Sequence, residues 1–192
     1  MRFNPVPLMA ILLWACLVPV QGQAQMPGDD RYRISLKSGS FIPVANITEE
    51  KIGDMNLAKR PGGKSFVIIQ FESIPGEREK RELKQAGIEL LDYVPNNAYA
   101  ATLTGSLDAV LLKKHSARAV FELLPEQKLE PGLARGIPTG DERSTSTAEY
   151  WISFPRSFSY EDVKKEMGTA GFEIVSSEFK NYHIVIARVS TG

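Results

Sequence analysis

The sequence predicts an α+β protein built from tandem ferredoxin-like units, the second incomplete, whose antiparallel sheets carry their helices on one face. Three observations predict it. From Ser65 to Leu124, strand and helix signals alternate in the order β-α-β-β-α-β, which is the split-βαβ plan. The pattern then returns at an offset of 84 residues: Ala86-Gly87-Ile88-Glu89-Leu90 is echoed by Ala170-Gly171-Phe172-Glu173-Ile174, and Ile68, Ser73, Glu77 and Asn97 by Ile152, Ser157, Glu161 and Asn181. Between the blocks, residues 125–147 are rich in Pro, Gly, Ser, Thr and charge and read as a linker.

Residues 1–24 read as a secretory signal peptide. Arg2 is followed by the apolar run Leu8 to Val20, with small residues at Gly22 and Ala24. The run is shorter than the roughly 20 residues a membrane-spanning helix needs, so the expectation is an exported, secreted or periplasmic chain with no membrane contact after cleavage. Residues 25–64 are polar and punctuated by Gly and Pro. They read as a leader segment with one strand at Tyr32 to Leu36, a turn at Lys37-Ser38-Gly39-Ser40 and a short apolar Phe41-Ile42-Pro43-Val44.

The first unit spans residues 65–124. Phe66 to Phe71 is a β-branched apolar run suited to a central strand, and Ile74 to Ala86 reads as a helix with Pro75 in its first turn, Glu77 paired to Arg81 at i, i+4, and Gly87 as the stop. Ile88 to Val94 and Ala98 to Leu103 are strands joined by a turn at Pro95-Asn96-Asn97. Leu107, Val110 and Leu111 fall at helical spacing, and Ala119 to Leu124 supplies the last strand. In the second unit, residues 148–192, Tyr160, Val163, Met167 and Ala170 share one helical face, and Tyr182 to Val189 is a third strand. No second helix or fourth strand follows, so this unit reads as βαββ and the chain as the front of a longer one.

The chemistry of the side chains excludes more than it suggests. Lys and Arg number 23 against 23 Asp and Glu, so there is no electrostatic footprint for nucleic acid. Cys16 is the single cysteine and lies in the signal, which leaves the mature chain without disulfides, thiolate metal sites or cysteine catalysis. His115 and His183 have no metal-ligating neighbours at suitable spacing. His115 sits at a helix end, where a cation complements the dipole, and His183 reads as alternating along a strand. Thr104 before Gly105 is a structural turn without a base to activate it.

The carboxylates of Glu77 to Glu82 are interleaved with Arg78, Lys80 and Arg81 and read as a solvated charged face. Pro61-Gly62-Gly63-Lys64 lacks phosphate-loop spacing and precedes a strand. Asn46-Ile47-Thr48 matches a glycosylation sequon by chance. Trp151, Tyr93, Tyr99 and Tyr182 read as core and cross-strand packing. The expectation is therefore no catalytic, cofactor-binding or metal site, and no cofactor.

The stretch Phe66-Val-Ile-Ile-Gln-Phe, then Arg81 through Leu91-Asp-Tyr-Val-Pro-Asn-Asn-Ala-Tyr99, then Glu122-Leu-Leu-Pro-Glu-Gln-Lys-Leu129 resembles the N-terminal propeptide region of secreted bacterial subtilisin-like serine peptidases. Arg33-Ile-Ser-Leu-Lys-Ser-Gly-Ser-Phe-Ile-Pro43 fits the same group. The catalytic domain, with its Asp, His and Ser motifs, is missing from the sequence. The resemblance implies a non-enzymatic prodomain that acts as folding chaperone and temporary inhibitor, its partner a subtilisin-like catalytic domain in cis or in trans. The competing expectation is a stand-alone exported ferredoxin-like module that binds a protein or small ligand, with homodimerisation among its options.

Overall fold

The structure, a computed structural model, describes residues 30–57, 63–134 and 147–190. The expected signal and Cys16, residues 58–62 with Pro61-Gly62, the second half of the expected linker and the last two residues lie outside those ranges. Nine strands and six helices follow one another among the described residues: β1 Ile34–Leu36, β2 Gly39–Phe41, α1 Glu49–Leu57, β3 Ser65–Phe71, α2 Glu77–Gln85, β4 Ile88–Val94, β5 Ala98–Leu103, α3 Ala109–Lys114, β6 Ala117–Phe121, α4 Pro125–Lys128, α5 Pro131–Ala134, β7 Thr147–Ser153, α6 Tyr160–Thr169, β8 Glu173–Ser176 and β9 Ile184–Ser190.

β3 to β6 form one antiparallel sheet in the spatial order β4-β5-β3-β6. This is the ferredoxin-like order, with the first and third strands of the unit at the centre. Strand alternation gives the sheet two apolar faces. Val67, Ile69, Phe71, Tyr99, Ala101 and Leu103 face the helices and meet Leu83 of α2 and Leu112 of α3. Ile68, Leu91, Ala98 and Ala100 face the other way.

Local signals fix the connections. Glu79 reaches back to accept the Gly76 N–H at 2.6 Å and so starts α2. Gly76 is its N-cap, so Pro75 precedes the helix rather than lying in its first turn. The chain leaves through Gly87 at φ +84°, the left-handed stop after a helix that glycine adopts without strain. Asn96 and Asn97 both hold positive φ, as a two-residue hairpin of the primed type requires. Asp108 accepts the Val110 N–H at 2.7 Å and caps α3. The buried side of that helix is Leu107, Ala109 and Leu112, while Val110 is exposed, which shifts the stripe expected from Leu107, Val110 and Leu111.

The segment expected to be a leader is built into the first unit. The β1–β2 hairpin brings Ile34, Leu36 and Phe41 onto the face of the sheet that the helices leave open, while Ile47 and Ile52 join the core on the helix side. α1 was not expected, because Glu49-Glu50-Lys51 hides buried Ile52 among charges. A polar clamp pins the hairpin. Fully buried Gln70 donates to the carbonyls of Tyr32 and Asn96 and accepts from Arg118, whose guanidinium lies over the Tyr32 ring. Asn46 lies along the outer edge of β6: its side-chain amide exchanges hydrogen bonds with the N–H and C=O of Val120, and its own N–H donates to Arg118 O. That closes a sheet edge that would otherwise be bare.

The second unit is β7-α6-β8-β9, with strand order β7-β9-β8. Among the described residues it repeats the plan of β3-α2-β4-β5. Ser159 and Asp162 cap α6 reciprocally, and Gly171 at φ +83° matches Gly87. The offset between the units is not constant, however. Phe71 N donates to Asn97 O as Phe154 N donates to His183 O, and Gly76 caps α2 as Ser159 caps α6, all but the carbonyl partner shifted by 83 positions. The offset reaches 84 only at the helix C-termini, Ala86 and Ala170, because α6 has 10 residues and α2 has 9. Ile152 therefore corresponds to Ile69, not Ile68. One residue of slip in a strand exchanges its faces.

Loop contacts join the units. Thr102 Oγ1 lies 2.5 Å from Ser157 Oγ, Lys64 donates to Ser157 O at 2.8 Å, and Arg156 pairs with Asp92 at 3.4 Å.

Candidate functional site

The two sheets end up with different exposures. In the first unit, one face is under helices, the other under the hairpin and the Arg156 to Phe158 loop, and the β6 edge under Asn46. In the second, one face carries Ala148, Val185 and Ala187, which are buried. The opposite face carries Trp151 beside Ile186 and Ser153 beside Ile184 in register, and no described element lies over it as the hairpin lies over the first sheet. Trp151 is 64% exposed and stacks on Phe179 with ring centroids 5.0 Å apart. Arg188 bridges Glu149 at 2.8 Å and Glu173 at 3.3 Å on the same face. Each anion strengthens the hold on the guanidinium proton, so the Arg188 pKa is raised. The arrangement is an apolar, aromatic strip beside a neutralised charge cluster, suited to burial against another protein.

Beside β7 lies a groove of about 610 Å³ lined by Tyr150, Trp151, Ile152 and Ser153 of that strand, by Phe172 ahead of β8 and Val189 of β9, and by Lys128, Leu129, Glu130 and Leu133 of the linker. It occupies the place that α3 and β6 fill in the first unit. A second cavity of about 380 Å³ lies between α1 and β6, lined by Asn46, Lys51, Asp54, Met55, Val120 and Glu122.

The residues weighed for chemistry are accounted for individually. His115 is the C-cap of α3, buried, with Nε2 3.4 Å from Glu82 Oε2 and without a hydrogen-bond partner. Lys114 and Arg78 donate to Glu82, which lowers its pKa to about 2. A carboxyl held ionised so firmly is no general acid near neutral pH. Glu77 pairs with Lys80 at 2.9 Å rather than with Arg81. Thr104 donates to Gly87 O at 3.3 Å, and Lys64 is committed to the contact between units. The Tyr32 hydroxyl donates to Glu72, and burial first, then Glu72, raises its pKa. Asn46 spends its side-chain amide on Val120, donating from Nδ2 to its carbonyl and accepting its N–H at Oδ1.

Three expectations need correction. His183 is not in a strand: it holds φ +57° at the turn into β9, its ring edge-on to Phe154 at 5.4 Å. Trp151 is not core, because the face it occupies is the uncovered one. Of the tyrosines, Tyr99 is buried and Tyr93, though half exposed, packs across the strands on it as expected, with ring centroids 5.4 Å apart, whereas Tyr182 is exposed. Sequence reading took Trp151 for packing because it is a large aromatic residue on a strand. The alternation Glu149, Trp151, Ser153 against Ala148, Tyr150, Ile152 was the signal that could have placed it. Among the described residues, no group of three or more His, Cys, Asp or Glu could hold a metal ion, and no helix is long and apolar enough to cross a membrane.

Residues 35–124 are similar to a family described as a domain of unknown function (DUF8729). That range begins inside β1 and ends just past β6, so it takes in the hairpin and α1 together with the first sheet. No curated protein and no solved structure matches the chain.

Proposed function

We propose that this chain is a non-catalytic, exported protein-binding module of propeptide type, which docks on a subtilisin-like catalytic domain, in cis or in trans, as folding chaperone and temporary inhibitor. The observation that supports the reading is the difference between the two sheets. The hairpin occupies the face of the first sheet that a partner would use, and the second sheet leaves its equivalent face bare, with Trp151, Phe179, Ile184 and Ile186 on it. A preformed apolar sheet face is a sound template for a domain dominated by non-local strand pairing, which folds slowly by itself. The aromatic pair supplies the kind of anchor that dominates interfaces.

The test adds the purified protein to subtilisin-like peptidases, during their refolding and after it. Faster recovery of activity, inhibition of the mature enzyme, and roughly tenfold or greater weakening of both by Ile186→Lys are expected, since one buried apolar contact is worth about 1.5–3 kcal/mol. If neither refolding nor activity responds, the reading is overturned.

A further inference from the structure

We infer that the loop between β7 and α6 is a latch: Arg156, Ser157 and Phe158 close one end of the hairpin-side face of the first sheet and so hold the second unit in one orientation, and their release uncovers that end. The inference is independent of the propeptide reading, because it concerns the contact between the units and not the bare face of the second.

The need for a cover arises in the first unit. The hairpin packs over Ile68, Ala98 and Ala100. Two residues further along the same face, Phe66 of β3 stands opposite Thr102 of β5, and Thr102 opposite Glu89 of β4. Thr102 is only 1% exposed, and its hydroxyl lies 2.5 Å from Ser157 Oγ of the second unit. A hydroxyl taken out of water needs such a partner.

Three consecutive residues each grip a different strand. Arg156 pairs with Asp92 of β4 at 3.4 Å, and Ser157 meets Thr102 of β5. Phe158 lies under Lys64, the residue ahead of β3, whose ammonium is 5.5 Å from the ring centroid and also donates to Ser157 O at 2.8 Å. Both ends of the loop are fixed within the second unit. Phe154 N donates to His183 O and the two rings stand edge to face, which ties one end to the sheet. Ser159 caps α6 at the other. Where this short connection lands on the first sheet therefore sets how the second unit is turned.

The same contacts make the latch releasable. Apolar packing and a buried clamp hold the hairpin, whereas polar side chains hold the loop, and the Arg156–Asp92 pair is exposed on both sides. Exposed pairs of this kind contribute little each, and a small polar interface between two units permits relative motion. Among the described residues no strand of one sheet pairs with a strand of the other, so opening breaks no ladder.

The test measures orientation and cover separately. Once the expected signal is removed the chain has no cysteine of its own, so Val110→Cys and Tyr182→Cys, at two exposed positions, can carry a pair of spin labels. Double electron–electron resonance should give one narrow distance in the otherwise unchanged chain. Lys64→Glu sets a carboxylate against Ser157 O and should broaden the distribution. Asp92→Arg, at an exposed site that leaves folding intact by circular dichroism, should broaden it too, and adding Arg156→Asp should narrow it again. For the cover, Thr102→Cys should react with a thiol reagent at least tenfold faster when Lys64→Glu is present. A distribution already broad without these changes overturns the inference, as does one that stays narrow in both Lys64→Glu and Asp92→Arg, or equal thiol reactivity in the two backgrounds.

Discussion

Glu82 shows how a single side chain can be legible in kind and not in partner. The sequence marks it as one charge among many on α2, but only the fold brings Lys114 and buried His115 to it from the end of α3. Its pKa is depressed from 4.5 to about 2, with Lys114 as the main cause and Arg78 next. The sign follows by linkage. The unfolded chain binds the proton more tightly, so the stabilisation is fully present above the unfolded value and is lost as pH falls through the folded one. Wild type should therefore melt at a higher temperature than Glu82→Gln at pH 7, and the gap should close as pH falls from about 4.5 to about 2. A gap that stays constant across that range would mean the carboxylate contributes through packing and not through charge. His115, placed by sequence at a helix terminus, does sit there as the C-cap, since helix ends are written locally, in caps and turn residues.

At the scale of elements, β4 and β5 begin and end where the sequence places them, because each is bounded by a residue with one job: Gly87 before β4, and Asn96 and Asn97 between the two. The hairpin and α1 were harder to read. Their fit depends on long-range contacts, Gln70 to Tyr32 and Asn46 to Val120, that no local pattern announces. The bare face of the second sheet was legible only in part: the alternation in β7 is plain, but which half is buried depends on a register that the repeat misreports by one residue.

The clamp makes a prediction at this scale. Gln70→Leu strips partners from the Tyr32 and Asn96 carbonyls and from Arg118, at roughly 1–3 kcal/mol for each group left buried and unpaired. It should lower the melting temperature, expose Ile68 and Ala100 to an apolar dye, and speed amide exchange at Ile34 to Phe41. Unaltered exchange in the hairpin would show that Ile34 and Phe41 hold it without the clamp.

For the whole molecule, the two halves are unequally provided. The first sheet is packed on both faces, with Ile69 and Phe71 at 0% exposure on the helix side and Ala98 at 0% under the hairpin. In the second unit the buried apolar residues among those described are Ala148, Val185 and Ala187, which is little for a unit of this size. Amide exchange should accordingly be faster in α6 and β8 than in β3, β5 and α2, since local opening follows the density of buried contacts. Equal protection across both units in a demonstrated monomer would show that the contacts of Thr102, Lys64 and Asp92 with the Arg156 to Ser157 loop merge them into one cooperative block.

The extra residue in α6 has a consequence for anyone who would recombine the repeats. A hybrid spliced at Gly87 and Gly171, where the backbones coincide in conformation, inherits strands whose inward and outward sides agree with their new neighbours. A hybrid cut inside the first strand of each unit by the apparent 84-residue correspondence would insert Trp151 where Phe66 and Ile68 alternate with Val67, on the wrong beat, and turn the strand inside out. The seam at which these repeats can be exchanged is therefore the glycine that ends the helix.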